Sequence, residues 1–133
     1  MILVDTSAWI EYLRATGSSA AIELRRLLSD GSGQIAMCEP IAMEILCGAT
    51  NDTHPALERL VNGLPSLAVD NAVDFRAAAD IYRAARRAGK TIRSINDCLI
   101  AAVAIRHAAR VVHCDTDFDV IAQITNLETA SFR

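Results

Sequence analysis

The chain has 133 residues, 52% hydrophobic and 22% charged, with a formal net charge of −3 from 13 Lys+Arg against 16 Asp+Glu. That composition excludes a disordered chain and suits one domain, 1–133, long enough to bury a sizeable core. The charge balance counts weakly against a nucleic-acid binder, which usually shows a basic excess, so the placement of the charges matters more than their sum.

Ile2-Leu3-Val4 is a short apolar run ending on Asp5, and it reads as a buried strand of a parallel sheet. Thr6 or Ser7 can cap a helix from Ala8 to about Leu13. Ser18 to Leu28 shows a second helical pattern, stopped by Gly31 and Gly33. Gln34 to Cys38 is a short strand. Pro40 fits a first helical position, and the helix Ile41 to Ala49 follows with Glu44 inside an apolar run. Pro55 opens a helix through Val61, and Leu67 to Val69 reads as a brief strand. Ala72 to Ala88 is a long alanine-rich helix ended by Gly89, followed by the basic loop Gly89–Arg93. Ser94 opens a helix from Ile95 to His107. Arg110 to Cys114 is a strand ending on Asp115, Thr116 to Ile124 a short helix, and Asn126 to Arg133 an edge strand or ordered end. Strands alternating with helices predict an α/β class fold, three layers α/β/α around a central, mainly parallel sheet.

No apolar run approaches the roughly 18 residues that cross a membrane. Met1–Asp5 has no basic n-region, so no secretory signal is expected. Cys38, Cys47, Cys98 and Cys114 form no CxxC pair and read as small buried hydrophobes of a reduced cytosolic protein. His54, His107 and His113 lack ligand spacing and read as surface or core residues.

In open parallel sheets, sites form beyond the carboxyl ends of the strands. Asp5 and Asp115 fall there, and Asp97 lies in the first turn of a helix near a sheet edge. Glu44, flanked by apolar residues, is expensive to bury without a partner. Each has a plainer reading: Asp5 can cap a helix, Ser94-Ile95-Asn96-Asp97 matches a capping box, and Glu44 can face solvent. Thr116-Asp117-Phe118-Asp119 fits the same box, which makes Asp119 structural. Together, however, carboxylates gathered at one pole repel unless a cation compensates, and the hard cations Mg²⁺ and Mn²⁺ suit such donors.

Four segments in order, Val4-Asp5-Thr6-Ser7-Ala8-Trp9, Glu44-Ile45-Leu46-Cys47-Gly48, Ser94-Ile95-Asn96-Asp97-Cys98-Leu99-Ile100-Ala101-Ala102 and Asp115-Thr116-Asp117-Phe118, closely resemble the PIN-domain ribonucleases. Within them the match is to VapC toxins of type II toxin–antitoxin systems, and it runs from residue 2 to about 125. The resemblance implies a Mg²⁺- or Mn²⁺-dependent endoribonuclease of a bacterial or archaeal cytoplasm. Such enzymes commonly cut tRNA, generally homodimerise, and are neutralised by a VapB-type antitoxin in a hetero-oligomer. Carried over by position, Asp5, Glu44, Asp97 and Asp115 match the acidic quartet around the metal. Asp117 matches an accessory acid of the catalytic site, and Ser7 a supporting hydroxyl. Cys98 and Cys114 are departures that remove no ligand.

On that reading, Asp5 and Asp97 hold the principal metal, and Asp115 shares it directly or through water. Glu44 orients or deprotonates the attacking water, or completes a second metal site. Water attack leaves a 5′-phosphate and a 3′-hydroxyl. Residues 76–93 gather Arg76, Arg83, Arg86, Arg87, Lys90 and Arg93 against the single acid Asp80. A solvated helix face would look the same. The segment leads into the loop before Asp97, however, so Arg86, Arg87, Lys90 and Arg93 are expected to contact RNA. Ala8-Trp9-Ile10 with Tyr12 and Leu13 is core or a partner groove, and Trp9 is the best single candidate for an interface anchor.

Two rival readings share some features. A Mg²⁺-dependent phosphoryl-transfer domain of the HAD type wants Asp-x-Asp after the first strand, where this chain has Asp5-Thr6-Ser7; a receiver wants a late Lys after a strand, and Lys90 is in the wrong context. A non-catalytic PIN-like RNA-binding module usually loses acids of the quartet, and this chain keeps all four.

Overall fold

Ile2–Val4 forms β1, buried along its whole length because it lies between two neighbours. The computed structural model describes residues 1–133 and pairs β1 with β2 (Ile35–Ala36) on one side and β3 (Arg110–His113) on the other. The last strand, β4 (Thr129–Ser131), adds to β3, giving the order β2-β1-β3-β4 with every pair parallel. Successive strand residues face opposite sides of a sheet, so the complete burial of Leu3, Val4, Val111 and Val112 means that both faces are covered.

Seven helices provide that cover: α1 (Thr6–Leu13), α2 (Ser19–Ser29), α3 (Glu39–Cys47), α4 (His54–Asn62), α5 (Asp74–Arg87), α6 (Ile95–Arg106) and α7 (Thr116–Ile124). Pro40 sits in the first turn of α3, where its missing N–H would have had no partner anyway. Helix α6 is apolar almost all round and buries Cys98, Ile100, Ala101, Ala102, Val103 and Ala104, which makes it the central helix of the core. It packs most heavily on α5, whose polar face stays in water. At the end of α5, Gly89 takes φ 72°, a left-handed conformation that lets Lys90 N–H donate to Ala85 O at 2.9 Å and turns the chain towards α6.

Several expectations are corrected. Leu67–Val69 is not a strand; pairing there shrinks to a single parallel bridge between Met37 and Ser66. The Ala68 carbonyl is taken instead by the side chains of Arg106 and His107, so the segment is held by side chains rather than a ladder. Helix α1 is capped by Asp5 rather than by Thr6 or Ser7. The Ser94 side chain makes no cap bond, so the capping box that would have explained Asp97 does not form. The N-cap of α7 is Asp115 rather than Thr116, and Asp119 is held by Arg133 at 2.8 Å rather than by the box. Cys47 is exposed, while Cys38 and Cys98 are buried and Cys114 is half-buried. Trp9 is fully buried in the core, which removes it as an interface anchor and leaves the outward apolar surface to Ile10 and Leu13. No helix is long and apolar enough to cross a membrane.

Candidate active site

Parallel pairing puts the carboxyl ends of β1 and β3 at the same edge, and Asp5 and Asp115 emerge there from neighbouring strands. Asp5 N–H continues the ladder by donating to Val112 O at 2.9 Å. Helix α6 leads into β3 from the other side of the fold, so its first turn, carrying Asp97, lies at this same edge. Helix α3 starts just beyond β2 and brings Glu44 against Asp5. Oxygens of Asp5, Glu44 and Asp97 lie within 4.8 Å of one another, as do those of Asp97, Asp115 and Asp117. Asp97 belongs to both groups and is the hinge of the cluster.

Two of these oxygens are buried and have no hydrogen-bond partner: Asp5 Oδ1 and Asp97 Oδ2. Asp5 and Asp115 are each held through one oxygen. Asp5 Oδ2 accepts from Ser7 Oγ at 2.6 Å and from Ser7 N at 3.1 Å. Ser7 Oγ in turn accepts from Cys114 N at 2.9 Å, so one hydroxyl braces Asp5 against the end of β3. Asp115 Oδ1 caps α7 by accepting from Asp117 N at 2.9 Å, and Asp115 N–H donates to His113 Nδ1 at 3.2 Å.

Asp117, almost completely buried, accepts from the backbone N–H of Arg93 at 3.1 Å and of Ser94 at 3.0 Å. It therefore pins the loop that enters α6 and carries Asp97. The Arg93 side chain, expected on an RNA path, instead reaches into the rim of the cluster. Its Nη2 lies 3.0 Å from Asp115 Oδ1 and 3.2 Å from Thr116 Oγ1, and its Nε lies 3.6 Å from Asp117 Oδ1. Arg86, Arg87 and Arg83 line a shallow cleft on α5 instead, and none of them forms an ion pair.

The electrostatics follow the geometry. Burial, then the charges of Asp5 and Asp115, push the Asp97 carboxyl up to about 9. Burial likewise raises Asp5, partly offset by its bonds to Ser7. Glu44 is raised by burial and then by Asp5. Acids displaced in this direction want either protons or a cation. With only oxygen donors, two of them buried and unpartnered, the cluster fits a small hard divalent ion. Sequence reasoning missed three supports: His113 behind Asp115, Thr116 beside Arg93, and Thr6, whose Oγ1 lies 3.4 Å from Glu44 Oε1. Thr6 and Thr116 each directly follow a candidate ligand, which is the signal that was available.

A groove of about 510 Å³ opens beside the acids, lined by Ile10, Leu13 and Leu57 with Glu44 on its wall. A larger one, about 950 Å³, is lined by Met43, Phe75, Ile95 and Leu99.

A crossover sheet with acids gathered at the carboxyl edge defines a class, and the comparisons agree with it. The PIN domain family model matches residues 2–124. Ribonuclease VapC11 of Mycobacterium tuberculosis is 77% identical over 134 residues, covering 100% of both chains. Ribonuclease VapC18 of the same organism is 34% identical, covering 95% of this chain and 90% of its own. Among solved structures, a DNA-bound VapBC from Salmonella typhimurium superposes with a TM-score of 0.76 at 17% identity, covering 100% of both chains. This chain belongs to the PIN-domain family, and within it to the VapC group.

Proposed function

We propose that this chain is a VapC-type toxin: a metal-dependent endoribonuclease that hydrolyses phosphodiesters of structured RNA, tRNA first among them, and is silenced by a VapB-type antitoxin. The observation that carries this reading is the pair of buried, unpartnered oxygens, Asp5 Oδ1 and Asp97 Oδ2, inside an all-oxygen cluster. The ribonuclease names of the VapC relatives support it.

Asp5, Asp97 and Asp115 would hold Mg²⁺ or Mn²⁺, with Glu44 at the open side. Such an ion supplies a lowered water pKa and screening of phosphate charge. Glu44, half-buried and already raised in pKa, is suited to take the proton of the attacking water. Ser7 keeps Asp5 aimed into the cluster, and Asp117 keeps the start of α6 in place. Arg86, Arg87, Lys90 and Arg93 form the cationic approach for RNA.

The groove beside Glu44 suits the antitoxin: apolar walls for its side chains, and carboxylates at one end for a guanidinium. The larger groove, with Met43, Phe75 and Ile95 more than half exposed, suits a second copy of the chain. A cytoplasmic setting goes with this partnership.

The test is to sequence RNA 5′ ends after expression and after incubation with purified protein, beside Asp5→Asn. Cleavage leaving 5′-phosphates is expected with Mg²⁺ or Mn²⁺. It should stop in EDTA and fall at least about 100-fold in Asp5→Asn. A folded Asp5→Asn protein cutting at the wild-type rate overturns the assignment.

A further inference from the structure

We infer that Arg93 is a catalytic residue, whose free guanidinium edge holds the scissile phosphate while its other edge is fixed on Asp115. This rests on the ribonuclease reading and changes Arg93 from one cation of the approach into a participant at the reacting group.

Three observations carry it. Arg93 is the one cationic side chain in contact with the acidic cluster, through Asp115 Oδ1 at 3.0 Å and Asp117 Oδ1 at 3.6 Å. Its main chain is anchored independently, because Arg93 N–H donates to both Asp117 oxygens at 3.1 Å. A long side chain that leaves a fixed Cα and is gripped at its tip is preorganised, which surface arginines seldom are. Finally, the grip is one-sided. Nη2 carries the bonds to Asp115 and Thr116, Nη1 makes none, and the side chain remains 69% exposed.

A guanidinium offers five donors in a rigid plane, so two neighbouring edges can serve two anions at once. Asp115 Oδ1 accepts from Arg93 and from the cap of α7, while Oδ2 accepts nothing. Arg93 therefore orients Asp115 while leaving its Oδ2 without a hydrogen-bond partner. A phosphodiester drawn to this edge of the sheet meets Nη1–H donors already in position.

The bookkeeping of the reaction leaves Arg93 unchanged. The water oxygen bonds to phosphorus, its proton passes to Glu44, the P–O3′ bond breaks, and O3′ takes a proton from solvent. Arg93 stays protonated throughout and donates to a non-bridging oxygen as charge builds there. Donors fixed before the reaction are worth far more than donors that must be recruited.

The experiment compares wild type, Arg93→Ala, Arg93→Lys and Arg86→Ala in three measurements: single-turnover RNA cleavage with Mg²⁺, RNA affinity in EDTA, and Mn²⁺ binding by electron paramagnetic resonance. Arg93→Ala is expected to lower cleavage about 100-fold while changing RNA affinity less than about fivefold and leaving Mn²⁺ bound. Arg93→Lys, which keeps charge but loses the fork, should recover less than a tenth of the lost rate. Arg86→Ala should instead lose RNA affinity, the pattern of a residue that binds RNA away from the reacting group. Unchanged cleavage in Arg93→Ala overturns the proposal. So does a loss of RNA affinity that matches the loss of rate, or a parallel loss of Mn²⁺. Should Arg93→Ala fail to fold, Arg93→Lys against wild type decides by the same three readouts. A wild-type protein that does not cut RNA sinks the ribonuclease reading itself, a result distinct from an Arg93 variant cutting like wild type.

Discussion

Asp97 bears the strongest perturbation in the molecule, pushed up to about 9 from 3.8 by burial and by Asp5 and Asp115. The folded, metal-free chain therefore keeps a proton that the unfolded chain releases near pH 4. This contribution to stability is complete below about pH 4 and is lost as pH rises towards 9. In EDTA, the melting temperature of wild type should fall across that window relative to Asp97→Asn, whose amide is neutral throughout. Mg²⁺ should then raise wild type more than the variant. A constant difference between the two proteins from pH 5 to pH 9 would rule out a raised Asp97 carboxyl as the cause. At this scale Asp5, Asp97 and Asp115 were brought to one edge in the sequence because strand ends and helix starts leave recognisable motifs, whereas Glu44, mid-helix in α3, stood out by its apolar flanks and by the family resemblance. The pairing of Arg93 with Asp115 was not, since it joins side chains 22 positions apart and no local pattern announces it.

Elements were read well where the pattern is local. The apolar run of β1, the proline of α3 and the alanine-rich α5 with its Gly89 stop all fell near their expected places. The expected strand at Leu67–Val69 failed because Arg106 reaches across from α6 to claim the Ala68 carbonyl. The same arginine grips the buried Asp74 of α5 twice, at 2.9 and 2.8 Å, and holds its carboxyl below the usual range. Arg106→Met should lower the urea midpoint by stranding a buried carboxylate. A depressed carboxyl gives stability that is present above about pH 4 and lost as pH falls through its lower, folded value. Wild type should accordingly lose more stability than Arg106→Met between pH 4 and pH 2 in acid titration followed by circular dichroism. Trp9 makes the complementary case. As a fully buried core residue it should lose about 3–5 kcal/mol on truncation to alanine, measured by chemical denaturation, whereas a surface anchor would lose almost nothing.

Over the whole molecule, a net charge of −3 divides into an acidic edge and a basic segment, 76–93. Arg83, Arg86 and Arg87 lie together and without ion-pair partners, so their charge is available to a polyanion. Replacing Arg86 and Arg87 by Gln should weaken RNA binding and reduce the slope of log K against log salt by about 1.4, as two phosphate contacts on a single strand predict. An unchanged slope would place them off the RNA path. The sheet order β2-β1-β3-β4 has one more consequence, which concerns time. The strand made first waits for a partner made more than a hundred residues later, and the acids at their shared edge come from positions 5, 44, 97 and 115. A ribosome releasing this chain from its N-terminus therefore completes the acidic cluster only after Asp115 has emerged. Long-range parallel pairing closes slowly, so on the proposed reading the capacity to cut RNA arrives late, which leaves an interval in which an antitoxin already present can meet the chain first.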